Sequence, residues 1–166
     1  HNGDLINGGY FNLAGGNAAS CIAGWNGSTW SPLGSGLNHE PLGLLSFNGE
    51  LYAAGYFDTA GGVPVNHIAK WNGSQWQDVG GGFNDVVNTL FEFNGELIAG
   101  GWFTTSGNDI ISAVARWDGT KWTAMSTGMN GTVYAFCNFR GELYAGGCFN
   151  SASGQPAGGI AKWDGY

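Results

Sequence analysis

The chain has 166 residues with 12 acidic and 5 basic side chains, a net charge of −7; with no basic patch, this excludes a nucleic-acid-binding surface. No apolar run approaches the ~18 residues of a spanning helix, so membrane insertion is not expected. Glycine is abundant, at 32 residues, but recurs at fixed positions among 14% aromatics, which sets aside disorder and collagen.

One period orders the chain. Trp25, Trp71, Trp117 and Trp163 stand 46 residues apart, and Phe11, Phe57, Phe103 and Phe149 keep the same step without insertion or deletion. Such a period marks a repeat architecture, in which each unit buries its faces against its neighbours. In chain order, residues 1–36 supply three strands of a first unit. Residues 42–82 and 88–128 are two complete units, and residues 132–166 are three strands of a fourth. The second unit shows the pattern: a first strand (a) ending at residue 47, a turn at Asn48-Gly49, and a second strand (b) over 50–57. A longer polar loop at 58–67 follows, then a third strand (c) over 68–71, a turn at Asn72-Gly73, and a fourth strand (d) over 74–79. Asn-Gly between apolar runs predicts a type I′ hairpin, because both central residues need φ > 0. Arg140-Gly141 is the weaker member of the set. No segment carries a helical period.

Four antiparallel strands per period predict an all-β, β-propeller arc of about four blades, with the first and last incomplete. The string ELYAAGYF…IAKWNGSQWQDVG resembles a kelch-type repeat: a strand closing on a small-residue pair, a spacer, an aromatic in strand c, and a Trp opening strand d. Trp stands where kelch repeats usually carry Tyr in the third strand. A weaker resemblance is to tachylectin-like propeller lectins. These resemblances imply a binding scaffold or, in some secreted oxidases, an enzyme; they do not imply one activity. Closure of a propeller takes about 4–8 blades. The expected partner is therefore the rest of a longer propeller chain or a second arc. The chain opens at His1 inside an expected hairpin, which reads as a processed or excerpted polypeptide.

Within strand b, Leu51, Ala53, Gly55 and Phe57 share one face and Tyr52, Ala54 and Tyr56 the other, so both faces are expected to be buried. The small residues should let adjacent blades approach closely. Trp71 and Trp76 should pack between sheets. Glu50, Glu96 and Glu142 open strand b and Lys70, Arg116 and Lys162 close strand c, which predicts three cross-strand ion pairs. Cys21, Cys137 and Cys148 read as buried free thiols, since a turn at Arg140-Gly141 sets Cys137 opposite Tyr144 rather than Cys148. Asn26, Asn72 and Asn130 match the N-glycosylation pattern, but two of them lie in tight turns.

The b–c loops and d–a connections line one rim and vary between units, so ligands are expected there. That rim collects His39, Glu40, Asp58, His67, Asp85 and Asp109 as candidate ligand-binding residues. Tyr10, Tyr56 and Trp102 approach it as a repeated aromatic platform, with Asn38, Asn84 and Asn130 recurring at the same step. The Asn residues read more readily as turn supports. Imidazole and carboxylate suit zinc or copper, yet there is no His-x-x-His or His-x-His spacing, so no metal, cofactor or catalytic residue is assigned. Few Lys and Arg with much Gly, Asn, Ser and Thr suggest a secreted or cell-surface protein. The reading favours a non-enzymatic interaction or structural module with a protein or glycan ligand. The alternatives are a repeat lectin, and a fragment of a secreted propeller enzyme whose active site lies elsewhere.

Overall fold

A computed structural model describes residues 1–165; Tyr166, the last residue of the expected fourth blade, lies outside the described residues. Among the described residues every regular element is a β-strand, and no helix is long and apolar enough to cross a membrane. The chain divides into two compact units, His1–Gly82 and Phe83–Tyr166.

The first unit holds β1 (Leu5–Gly8), β2 (Leu13–Ala14), β3 (Asn17–Ala18), β4 (Ile22–Trp25) and β5 (Trp30–Pro32). It continues with β6 (Pro41–Phe47), β7 (Glu50–Gly55), β8 (Thr59–Ala60), β9 (Val63–Pro64), β10 (Ile68–Trp71) and β11 (Trp76–Asp78). Its sheets are β1-β4-β5 and β6-β7-β10-β11, all antiparallel, with β2-β3 and β8-β9 as separate small hairpins. The second unit repeats this with one end different. It holds β12 (Val87–Phe93), β13 (Glu96–Gly101), β14 (Thr105–Ser106), β15 (Asp109–Ile110), β16 (Val114–Trp117) and β17 (Trp122–Ala124). Then come β18 (Thr132–Phe139), β19 (Glu142–Cys148), β20 (Ser151–Ala152), β21 (Gln155–Pro156) and β22 (Ile160–Lys162). Here the sheets are β12-β13-β16-β17 and β18-β19-β22.

The two kinds of hairpin turn differ, although both read Asn-Gly in sequence. Between strands a and b, Asn48 and Gly49 have φ of 50° and 80°, and Arg140 and Gly141 have 56° and 83°, the type I′ geometry. Between strands c and d only the glycine is left-handed, Gly73 at 97°. Trp71 pairs with Trp76 there, leaving four residues in the turn. The Asn72 side-chain oxygen accepts the N–H groups of Ser74 and Gln75, both at 3.0 Å. The expectation of a two-residue turn at this second place is therefore corrected: the Asn acts as an acceptor, so Asp118 replaces it, taking the N–H groups of Thr120 and Lys121 at 2.8 and 2.9 Å.

The small-residue pair closing strand b has two separate causes. Its second glycine meets its own sheet: a Cβ on Gly55 would lie 2.5 Å from the Glu40 carbonyl oxygen, and one on Gly101 2.2 Å from that of Val86. Strand a bulges at that point, with a register shift between Pro41 and Gly43 and between Val87 and Thr89. The first glycine meets the adjacent sheet, as Gly8 does with Pro41 and Gly100 with Phe136. Only this first position matches the expected close approach of neighbouring sheets.

Both faces of β7 and β13 are buried, as their apolar alternation requires. Trp76 is 3% exposed and its Nε1 donates to the Leu33 carbonyl at 2.9 Å. The ion pairs form across strands: Lys70 to Glu50 at 2.9 Å, Arg116 to Glu96 at 3.6 Å and Lys162 to Glu142 at 2.8 Å. Tyr52 sits beside the first of these, where burial and then the Glu50 charge push its hydroxyl up to about 12. Of the three free cysteines, Cys21 is buried but Cys137 and Cys148 are exposed, which corrects the expectation of three buried thiols. Cys137 pairs with Tyr144 and Cys148 with Thr132, so the two are not opposed. Cys148 takes the position of Tyr10, Tyr56 and Trp102, and shares their exposure.

Candidate functional site

The b–c loops, expected to be irregular, are themselves folded. Each forms a two-residue-per-strand hairpin: β2-β3, β8-β9, β14-β15 and β20-β21. Gly15-Gly16 and Gly61-Gly62 carry positive φ at both central positions (57° and 84°, 61° and 82°), and Ser153-Gly154 follows (49° and 76°). The Gly-Gly dipeptide between two short runs was the available signal.

These small hairpins are fastened by the recurring Asn residues. The Asn38 side-chain oxygen accepts the N–H groups of Asp58 (3.2 Å) and Thr59 (3.1 Å), and its amide donates to the Asp58 carboxylate at 2.8 Å. Asn84 holds Thr104 and Thr105, both N–H groups at 2.9 Å, and Asn130 holds Asn150 and Ser151 at 3.0 and 2.9 Å. The Asn row is thus a structural clamp joining each d–a connection to the following b–c hairpin. Hydrogen bonds from the Thr59 hydroxyl and Asn38, with the nearby His67, hold the Asp58 carboxyl below the usual carboxylate range.

Clefts open beside the clamps, and they repeat. In the first unit Tyr10, Phe11, Asn12, Ser20, Leu37 and Asn38 line a cleft of ≈ 410 Å³. In the second unit the residues two repeats later, Trp102, Phe103, Thr104, Ser112, Met129 and Asn130, line one of ≈ 270 Å³. Cys21 and Ala113 take the same place at the foot of each, with φ of 62° and 64°. This left-handed position recurs as His67 at 70° and Gly159 at 80°. Phe11 and Phe103 form apolar walls, and Ser20 and Ser112 add hydroxyls. Tyr10 and Trp102 stand at the mouths, 84% and 59% exposed.

The expected site residues fall into three groups. Tyr10, His39 and Tyr56 form a row, with ring centroids 5.9 and 5.5 Å apart. Glu40 joins it: its carboxylate and its backbone N–H (3.1 Å) both face His39 Nδ1. An N–H donor requires a lone pair on Nδ1 and a carboxylate requires a hydrogen there, so Nδ1 serves one of the two contacts at a time. Asp58 and His67 are committed to the clamp and to the β7 end, where His67 Nδ1 lies 3.3 Å from the Gly55 carbonyl. Asp85 accepts the N–H of Val86 at 2.7 Å, and Asp109 is exposed on its small hairpin. Among the described residues, no three His, Cys, Asp or Glu side chains converge as metal ligands. No protein-family model matches the chain, and no curated protein matches it.

Proposed function

We propose that the chain is a propeller-type repeat module, displayed outside the cell, that binds ligands without transforming them. The observation that supports this reading is the recurrence of one cleft at equivalent positions in both units. A catalytic centre is a unique constellation, whereas this one is copied with its Phe, Ser and Asn kept and its mouth aromatic and Asn12 (Thr104 in the second unit) changed. Its clamping Asn residues are spent on backbone N–H groups, so recognition falls to the exposed aromatic and the wall hydroxyl. The extracellular placement rests on composition, and the propeller assignment on the period and the four-stranded antiparallel sheets.

A glycan ligand is the second reading. It is favoured by the exposed rings of Tyr10 and Trp102 over uncharged, hydroxyl-bearing clefts. Equivalent weak sites would gain by avidity on a multivalent surface. The test is binding of the folded protein to a glycan array and to a cell-surface protein panel, with the double variant Tyr10→Ser, Trp102→Ser in parallel. Loss of binding in the variant supports the clefts. A ligand held equally by the variant rules them out, and hits confined to proteins sink the glycan reading.

A further inference from the structure

The ring row of the first unit is not copied two repeats later: Tyr10, His39 and Tyr56 correspond to Trp102, Gly131 and Cys148. Glu40, beside the row, corresponds to Val86 one repeat on and to Thr132 two repeats on. The fold therefore asks for no charge at this place. Nor does it supply a donor there: the Thr132 hydroxyl is buried without a hydrogen-bond partner, and so is the Oε2 atom of Glu40. The neighbour of that oxygen is His39 Nδ1, which also receives the Glu40 N–H. When Nδ1 takes the N–H, the carboxylate is left unbonded. Among the described residues, the Lys and Arg ion pairs go to Glu50, Glu96 and Glu142, so no permanent cation matches Glu40.

The geometry points to an alkylammonium site: the rings of Tyr10, His39 and Tyr56 receive a cation clothed in methyl groups, and Glu40 supplies the opposite charge. This rests on the binding reading given for the clefts and narrows it for the first of them. The ring planes are tilted by 51° and 55° along the row, so the rings do not cover one another's faces. Tyr10 and Tyr56 keep 84% and 49% of their surface open. A cation within about 6 Å of such a ring is drawn to its face. A lysine ammonium would bring three N–H donors that need acceptors, whereas Oε2 of Glu40 is enclosed. An enclosed carboxylate acts through its charge, and a methylated ammonium asks for nothing more. Asp58, bonded to Asn38 next to His39, adds a second negative charge. Two carboxylates disfavour a phosphate close by, so the expected carrier is a methylated amine on a peptide rather than a phosphocholine headgroup. Neither carboxylate is repeated at the second cleft, where Thr132 and Asn150 stand in their places.

The probes are choline and its uncharged isostere, in which a tert-butyl group replaces the trimethylammonium. Each is titrated into the whole protein and followed by NMR of the tyrosine and histidine rings. Choline should bind about tenfold more tightly than the isostere, with shifts centred on Tyr10, His39 and Tyr56. Glu40→Gln should bring choline down to the affinity of the isostere and leave the isostere unchanged. Because the first comparison uses the parent protein, it stands even if the variant misfolds. A trimethyllysine peptide and phosphocholine are run beside choline; tighter binding of the peptide is expected, and tighter binding of phosphocholine overturns the choice of carrier. Equal affinity for choline and the isostere overturns the site, as does absence of binding at tens of millimolar choline. Either failure leaves the clefts to be judged by the array experiment, which also reads Trp102, so the two failures are told apart.

Discussion

The two units place the same residue types around two different contents. In the first, a fourth strand closes the β6-β7-β10-β11 sheet and Trp76 fills the cluster. In the second, the β18-β19-β22 sheet has three strands among the described residues and the matching cluster borders a small cavity. Ala69 is fully buried, whereas Ala161 is only partly so, although the strands bearing them are nearly identical in sequence.

The sharpest way to break the contrast is to empty the first unit. Trp76→Ala should cost about 3–5 kcal/mol, the range for large aromatic truncation in a core. Hydrogen exchange should then accelerate in residues 1–82 and not in 83–166; equal acceleration in both would show that the indole's role is not local. Next come the clamps, which the units share. Asn38→Ala and Asn130→Ala should each lose about 1–2 kcal/mol by freeing two backbone N–H groups, read as denaturation midpoints and as protease nicking of the small hairpins. A cost in one unit only would separate clamps that look alike. Smaller again is the turn where the units differ, Arg140 against Asn48. Arg140→Gly should stabilise by about 0.5–1 kcal/mol, because φ of 56° disfavours a side chain; thermal melts decide it.

The smallest effect concerns Asp118, which stands where the first unit has Asn72. Hydrogen bonds from the N–H groups of Lys121 and Thr120 hold its carboxyl below the usual range. A group whose folded value is lowered contributes stability above its unfolded value of about 3.9 and loses it as pH falls through the folded value. Asp118→Asn should therefore leave stability unchanged at neutral pH and flatten its decline below about pH 4. A decline as steep as in the parent would show that the turn is not the source.

How much was legible follows from which interactions are local. The 46-residue step, the strands, the type I′ turns and the Glu–Lys and Glu–Arg pairs depend on residues close in the repeat, and they were readable. Asn72 and Asn48 share a sequence signature but not a role, and only the Trp71–Trp76 register distinguishes them. Exposed Cys137 and Cys148 were misread because the hairpin register, which does set them apart, bears on pairing and not on burial. Tyr10, Tyr56 and Trp102 are each exposed, yet the row through His39 needs two repeats to meet. The small hairpins were missed because two-residue strands leave too short an alternation to detect. The left-handed position shared by Cys21, His67, Ala113 and Gly159 has no sequence mark, since only one of the four is glycine.

The Asn clamps carry a consequence for how the chain assembles. Each joins residues only 20 or 21 apart, the same span that separates Glu50 from Lys70. Closing a loop of that length is entropically mild, and lengthening the chain by further repeats does not raise it. Rates of folding track the sequence separation of contacts more than chain length in small domains. An array stitched in this way can begin to order at any repeat and grow outward, so its kinetics should depend on the stability of one stitch rather than on the number of repeats.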